Sequence, residues 1–264
     1  MDAVTVSPAP ATPPVPAREW SELPLDALCV VFAKLGAVEL LRGTGSLVCR
    51  SWQKATMAPD VWRTVDMMTH HQMLRWTKAS GLCAMAKVAV DRADGQLEVF
   101  MGSKFVTNQL LTYICDRSPS LKKLFLARCS RVTSDCFTEL ITKTPLLEHI
   151  VVRDCRKLHA GVFEVAGRAC PQLKRLELRL DRRFDGRKMA LGVAAAMREL
   201  RHLTLEGDAV VSGEALAAIV NGCPRLEILD VSDCSGLAVT VGGDLLEECG
   251  RLNTVVLPGR WMHE

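Results

Sequence analysis

Eleven cysteines are the residues of this sequence best suited to chemistry, because a thiolate can act as a nucleophile or bind zinc. Their number is odd and no two are separated by two residues, so the spacing of a structural zinc site is absent. Cys129, Cys155 and Cys234 recur at one position of a repeat described below. That recurrence favours a small buried side chain at a tight turn over a metal site or a thiol relay. We therefore predict that the chain holds no metal.

Other short motifs of catalysis are incomplete or missing. The run Gly43-Thr44-Gly45-Ser46 lacks the third glycine of a dinucleotide-binding loop and follows no predicted strand. His70 and His71 are adjacent, so their side chains diverge in a helix or a strand, and a polar linker suits them better than a metal site. The sequence contains no G-x-S-x-G, Walker A or H-E-x-x-H string. We predict a protein without catalytic residues and without a cofactor.

Composition and charge narrow the class of partner. The chain of 264 residues is 48% hydrophobic, and its 33 basic and 30 acidic residues give a net charge of only +3. A dedicated nucleic-acid binder usually carries a strong basic excess, and a membrane span needs ~18 consecutive apolar residues, which are absent. Residues 1–17 are rich in proline and alanine and lack the features of a signal peptide, so we predict a disordered tail. We expect a protein of the nucleus or cytoplasm that binds neither nucleic acid nor membranes.

The region that follows the tail has the pattern of a small helical module. Apolar residues recur at helical spacing, and glycines interrupt the pattern. We predict three short helices: one that follows Ser21 as its N-cap and ends at Gly36, one from near Val38, and one that carries Leu47, Val48 and Trp52. Such a thin bundle has more apolar surface than it can cover, so it should dock onto a partner.

This module resembles the F-box motif. The matching residues, in order, are Leu23-Pro24, Leu28, Leu35, Leu40-Leu41, Val48-Cys49-Arg50-Ser51-Trp52 and Trp62. The strings KLGAVELL and GSLVCRSW are similar to plant F-box/leucine-rich-repeat proteins in particular. The resemblance implies binding to a Skp-type adaptor and, through it, to a cullin and a RING protein. It implies that the adaptor contacts Leu23, Pro24, Leu28, Leu35, Val48, Cys49 and Trp52.

The rest of the chain repeats with a fixed period. An anchor leucine recurs in segments such as SPSLKKLFLARC and CPRLEILDVSDC, at spacings of 26, 26, 27, 26 and 26 residues. Within each unit L-x-x-L-x-L alternates as a strand does, and the following stretch has helical spacing. A weaker unit with Met85, Val88 and Val90 precedes them, separated by an insertion at 91–104. The anchors are Leu121, Leu147, Leu173, Leu200, Leu226 and Leu252.

Stacked units of one strand, one turn and one helix form a solenoid with a parallel sheet on the concave side and helices outside. We predict an α/β chain with the helical F-box module at 18–66, a linker at 67–81 and an open leucine-rich-repeat solenoid of six to seven units at 82–264. The recurrent cysteines resemble the cysteine-containing class of leucine-rich repeats found behind F-boxes.

Side chains between the buried strand leucines should point to the concave face. In the middle of the arc this face is basic, and like charges on adjacent strands cost free energy unless something neutralises them. We predict that an acidic or phosphorylated segment of a target protein binds there, at Phe125, Val151, Arg153, Arg175 and Arg179. The alternative is capture on the loop Asp181–Lys188, where the repeat spacing stretches to 27 residues.

The resemblance implies a function that needs no nucleophile. An F-box/leucine-rich-repeat protein would be the substrate-recognition subunit of a Skp–cullin–F-box ubiquitin ligase and would present a target for ubiquitination and proteasomal degradation. Catalysis would then be proximity supplied to the chemistry of other subunits. Two alternatives stay open, namely a scaffold that assembles a complex without degradation and a co-receptor for a small molecule.

Overall fold

The computed structural model describes residues 22–45, 47–68, 77–234, 237–238, 249–257 and 260–262. The predicted tail at 1–17, the N-cap predicted at Ser21 and the His70–His71 pair lie outside these ranges. Within them, the longest and most apolar helices still fall short of what a bilayer crossing requires.

Three short helices begin the described chain: α1 (Leu25–Leu35), α2 (Ala37–Leu41) and α3 (Arg50–Ala55). Leu28 and Phe32 lie one turn apart on α1 and are fully buried. The Phe32 ring meets the Trp52 ring of α3 edge-on, with the ring centroids 5.3 Å apart. Gly36, with a φ of 88°, ends α1 as predicted. Val38 and Leu40 of α2 are also buried, so all three helices fill the small core of this module.

The third helix begins later in the chain than the sequence pattern predicted. Leu47 and Val48 precede it, because the backbone of Cys49 is extended and the helix starts only at Arg50. The turn before them is pressed against the core, since a Cβ on Gly45 would lie 2.9 Å from the Phe32 ring. Leu47 and Val48 consequently project from an exposed segment and not from a helical face.

Eleven strands lie in the described residues that follow. They are β1 (Thr64–Asp66), β2 (Val99–Gly102), β3 (Lys123–Ala127), β4 (His149–Arg153), β5 (Arg175–Leu180), β6 (His202–Gly207), β7 (Val211–Ser212), β8 (Ile228–Asp230), β9 (Leu237–Ala238), β10 (Thr254–Leu257) and β11 (Arg260–Met262). Nine of them form one sheet in the order β1-β2-β3-β4-β5-β6-β8-β10-β11, and β7 and β9 pair separately. Neighbouring strands of the sheet are parallel except for β10 and β11.

Helices alternate with these strands and pack against one another in chain order. They are α4 (Ala79–Arg92), α5 (Asn108–Arg117), α6 (Ser134–Lys143), α7 (Gly161–Ala169), α8 (Gly186–Ala196) and α9 (Gly213–Gly222). Each buries an apolar stripe toward the sheet, such as Leu110, Leu111 and Ile114 of α5. The chain thus has the predicted α/β solenoid architecture behind a helical module.

The anchor leucines hold the repeats in register. Leu121, Leu147, Leu173, Leu200 and Leu226 are at most 3% exposed, and Leu252 packs against the same core with part of its side chain exposed. The residues two positions after each anchor pair across the sheet, as Lys123, His149 and Arg175 do. The period read from the leucines is therefore confirmed as the spacing of stacked strands.

The first repeats differ from the prediction. Met85, Val88 and Val90 lie in α4 and not in a strand, and β2 runs through the segment predicted to be an insertion. Leu97 is fully buried two residues before β2, as Leu121 is before β3. The segment 91–104 thus contains a repeat strand with its own anchor and is not an insertion.

Trp62 occupies the same anchor position two residues before β1 and is fully buried. The strand β1 pairs in parallel with β2, although its residues fall within the predicted helical module. Arg63 reaches Glu98 at 3.3 Å, and the Arg92 guanidinium lies 5.0 Å from the centre of the Trp62 ring. Of the predicted linker at 67–81, Met67 is fully buried and residues 79–81 begin α4. The module therefore runs directly into the sheet.

Candidate protein-interaction surfaces

The N-terminal helices expose apolar side chains beside a core that is already filled. Pro24, Val31 and Leu35 follow one another at helical spacing along one flank of the buried stripe of α1. Leu47 and Val48, before α3, are 88% and 61% exposed. We call these five residues the N-terminal apolar surface. Exposed apolar side chains at this density mark a protein-binding site more often than a free surface.

The structure separates the seven residues predicted to contact an adaptor. Pro24, Leu35 and Val48 are exposed, whereas Leu23, Cys49 and Trp52 are half-buried. Leu28 is fully buried, so in this conformation it supports the core of the module and no partner can reach it. Val31 and Leu47 are exposed as well, although they were not among the residues predicted. The exposure of Leu47 and Val48 follows from the extended backbone before α3, which the helical pattern of the sequence did not indicate.

The recurrent cysteines lie in buried turns directly after the strands, as predicted. A hydrogen bond with Cys155, together with burial, raises the pKa of the Cys129 thiol. Burial alone raises the pKa of Cys170 to about 12. The Cys129 and Cys170 thiols therefore stay protonated at neutral pH, and all of these buried cysteines serve as small packing groups.

On the concave face, the arginines predicted to await a partner already have carboxylates beside them. Glu177 lies 3.0 Å from His149, 2.9 Å from Arg175 and 3.4 Å from Arg153. Glu206 lies 3.1 Å from Arg153 and 3.7 Å from Arg179. The premise that these positive charges lack neutralisation is therefore wrong.

The two apolar residues of the predicted target site differ in how accessible they are to a ligand. Phe125 is half-buried, and the Arg153 guanidinium lies 5.7 Å from the centre of its ring. Val151 is only 1% exposed, between Phe125 and Glu177 in the register of the sheet. A ligand on the concave face would thus meet Phe125 and a neutralised charge network, while Val151 lies beneath it.

Glu177 is the centre of that network, and replacing it should measurably lower the stability of the fold. The hydrogen bond with His149, aided by the positive charges of Arg175 and Arg153, lowers the pKa of Glu177 from its ordinary 4.5 to about 2, although burial opposes the shift. A lowered folded-state pKa stabilises the fold above the unfolded pKa, and that contribution disappears as pH falls from about 4.5 to 2. We expect Glu177→Gln to lower the free energy of unfolding by roughly 2 kcal/mol at pH 7, which is less than the full lowering of the pKa would give, because the partner arginines are partly exposed and screened by solvent.

Urea unfolding of both proteins between pH 7 and pH 3 measures this difference, which should shrink below pH 4.5. Glu164→Gln is the matched control, because Glu164 pairs with Arg168 on an exposed helix surface, where such pairs contribute little. A pH-independent difference between wild type and Glu177→Gln would contradict the assigned network.

The loop Asp181–Lys188, the alternative site for target capture, is held in place by a helix cap and by a contact between two aromatic rings. Asp185 caps α8 by accepting a hydrogen bond from the Lys188 backbone N–H at 2.8 Å. The Phe184 ring packs toward Phe163, with the ring centroids 6.1 Å apart. Arg182 and Arg183 are exposed. The loop therefore presents basic side chains from a fixed backbone.

Similarity to known proteins agrees with this architecture. A family profile described as F-box-like matches residues 20–68. Over 87–88% of its length the chain is similar to three Arabidopsis thaliana proteins: F-box/LRR-repeat protein 23 at 35% identity, F-box protein SKIP19 at 36% and F-box/LRR-repeat protein 9 at 31%. The matches cover 51%, 74% and 93% of those proteins, so the chain spans about half the length of the first.

Proposed function

We propose, from the premise that this chain belongs to the plant F-box/leucine-rich-repeat family, that it is the substrate-recognition subunit of a Skp–cullin–F-box ubiquitin ligase. The N-terminal apolar surface binds a Skp-type adaptor, which links the chain to a cullin and a RING protein. The repeats hold a target protein for ubiquitination and degradation. The site of action is the nucleus or cytoplasm.

The observation that carries this proposal is the exposure of Leu47 and Val48 next to a module whose core is complete. Apolar area removed from water contributes roughly 25 cal/mol per Å², and the described residues of the chain leave this area uncovered. A helical partner that covers Leu47 and Val48, together with the α1 flank at Val31 and Leu35, would gain that free energy. Loss of side-chain exposure at these residues is the direct signature of adaptor binding.

The junction between the module and the sheet supports a role in positioning. Trp62 closes the helical module and anchors β1 at the same time, and the Arg63–Glu98 ion pair spans the junction. The adaptor-binding end and the repeats are thus joined through packed side chains and paired strands. A receptor that works by proximity benefits from such a connection, because a fixed geometry reduces the entropy lost when the reacting groups meet.

The proposal is tested by following the proteins that the chain captures in plant cells. We expect their half-lives to lengthen when cullin activity is inhibited, and equally when the chain carries Leu47→Asp and Val48→Asp. Quantitative mass spectrometry of captured proteins after a translation block measures those half-lives. The matched control carries Leu191→Asp and Val210→Asp, two exposed apolar residues of the repeats. Unchanged half-lives under both treatments would instead support a scaffold without degradation.

A further inference from the structure

A groove runs along the carboxyl ends of strands β2 to β5. It consists of two adjoining cavities of about 980 and 640 Å³. Both cavities are lined by Lys104, Arg128, Asp154 and Arg179, so they are continuous. We call them together the carboxyl-edge groove. It lies beside the concave charge network but is lined largely by other residues.

The larger cavity carries an excess of positive charge. Six lysines and arginines line it against three aspartates. Among the described residues, the side chains of Lys104, Arg183 and Lys188 form no ion pair. The other three reach carboxylates only at long distances: Arg128 to Asp154 at 3.8 Å, Arg156 to Asp181 at 3.9 Å, and Arg179 to Asp154 at 3.9 Å and to Glu206 at 3.7 Å.

The opposite edge of the same sheet provides an internal comparison. There the residue after the anchor is basic in some repeats and acidic in others, and close pairs form from strand to strand. The pairs are Arg63–Glu98 at 3.3 Å, Lys122–Glu98 at 3.2 Å, Lys174–Glu148 at 3.0 Å and Arg201–Glu227 at 2.5 Å. Charge is therefore compensated at the amino edge, and the excess at the carboxyl edge is not a general property of these repeats.

Two non-glycine residues that line the groove have a left-handed backbone conformation, which glycine adopts at a lower free-energy cost. Arg128 and Asp154 both have a φ of 55°, in the left-handed region. The last residue of β6, Gly207, occupies the corresponding position, with a φ of 99°. A non-glycine residue in this region carries a conformational cost, and such residues cluster at binding sites. Two of them line the groove, and one is an arginine.

The smaller cavity supplies an apolar end. Phe125 and Met68 line it with part of their side chains exposed, next to the buried Phe105, Leu82 and Met67. A ligand that fills the whole groove must therefore combine an anionic group with an apolar side chain. A protein segment has that combination, whereas a nucleic acid would also place phosphates against Asp154, Asp181 and Asp185.

We propose that the carboxyl-edge groove binds a target segment with a phosphorylated serine or threonine at the basic end and an apolar residue at the Phe125 end. A phosphate carries close to two negative charges and three acceptor oxygens, so it competes better than a single carboxylate for arginines held at 3.7 to 3.9 Å from their partners. The groove thereby gives the proposed function a substrate class, namely phosphorylated proteins. Only the degradation of the bound target rests on the proposed function.

The test uses the full chain and a fluorescent peptide library with a fixed phosphoserine between degenerate positions, alongside the same library with unmodified serine. We expect the phosphorylated library to bind at least about tenfold more tightly, to weaken with added salt, and to be enriched in one apolar position. Arg183→Gln should reduce this binding about tenfold, whereas Arg168→Gln, the same change on an outer helix, should not.

Arg128→Gly separates binding from folding. Because it relieves the left-handed conformation, we expect a melting temperature equal to or above that of wild type together with at least about tenfold weaker phosphopeptide binding.

Equal binding of both libraries, or equal effects of Arg183→Gln and Arg168→Gln, overturns the proposal. Tighter binding of a uridine oligonucleotide overturns it in favour of a polyanion site. These variants should bind the Skp-type adaptor as wild type does. If wild type itself failed to bind the adaptor, that result would count against the proposed function and not against phosphopeptide binding in the groove.

Discussion

Replacing Leu47 and Val48 with aspartate is expected to abolish binding of a Skp-type adaptor, by at least about 100-fold. Two carboxylates would be buried in an apolar interface without partners, and an unpaired buried charge costs several kcal/mol. Both side chains are largely exposed in the free chain, so the free energy of unfolding should change by less than about 0.5 kcal/mol. Isothermal titration calorimetry and urea unfolding measure the two effects separately.

The control for this prediction is the pair Leu191→Asp and Val210→Asp, which introduces the same charges at exposed apolar positions of the repeats. It should bind the adaptor as wild type does. This design is cleaner than truncation of Leu23, which is half-buried and packs against the core. If the Leu47→Asp, Val48→Asp variant bound the adaptor with the affinity of wild type, the adaptor would have to use another surface.

The second large effect is expected in the repeat core. Leu173→Ala and Leu226→Ala should each lower the free energy of unfolding by roughly 2–5 kcal/mol, because each leaves a cavity beneath a strand. Both leucines are nearly inaccessible to solvent and lie in the middle of the stack. Since each repeat is stabilised by its neighbours, the loss should weaken adjacent strands as well.

Urea unfolding at pH 7, with hydrogen exchange to locate the weakened strands, measures this effect. Leu191→Ala, at an exposed position of α8, is the matched control and should change stability by less than about 0.5 kcal/mol. Changes of that small size at both Leu173 and Leu226 would be incompatible with the stacked register of anchors.

The repeat fold was predictable because its signal is redundant. Six leucines at nearly constant spacing specify one strand each, and stacking requires identical positions to pair. The pairing of Lys123 with His149 and of His149 with Arg175 follows directly from that spacing. No single residue had to be interpreted alone.

The first two repeats escaped prediction because their anchors depart from the pattern. Trp62 replaces leucine, and Leu97 lacks the proline two residues before it that several later anchors have. The intervals from Trp62 to Leu97 and from Leu97 to Leu121 are 35 and 24 residues, so a search at 26 passes over both. In α4 the apolar residues were assigned to a strand, whereas the buried ones, among them Leu82 and Ala86, follow helical spacing.

The concave charges were misjudged for a geometric reason. Arg153, Arg175 and Arg179 were added up to a basic face without being paired to the glutamates of the same face. The neutralising groups come from neighbouring strands, since Arg153 reaches Glu177 and Glu206, which lie one and two strands away. A diagonal pairing of this kind depends on side-chain length and rotamer, which the repeat period does not determine.

The central claim is that the N-terminal apolar surface docks the chain onto a Skp-type adaptor. Its most direct test is calorimetric titration of the purified wild-type chain with a plant Skp-type adaptor at several temperatures. The account predicts a saturable one-to-one complex with a negative heat-capacity change, because apolar surface is buried on binding. Absence of any complex at adaptor concentrations of about 100 μM, where a specific interface of this kind should be saturated, would contradict it.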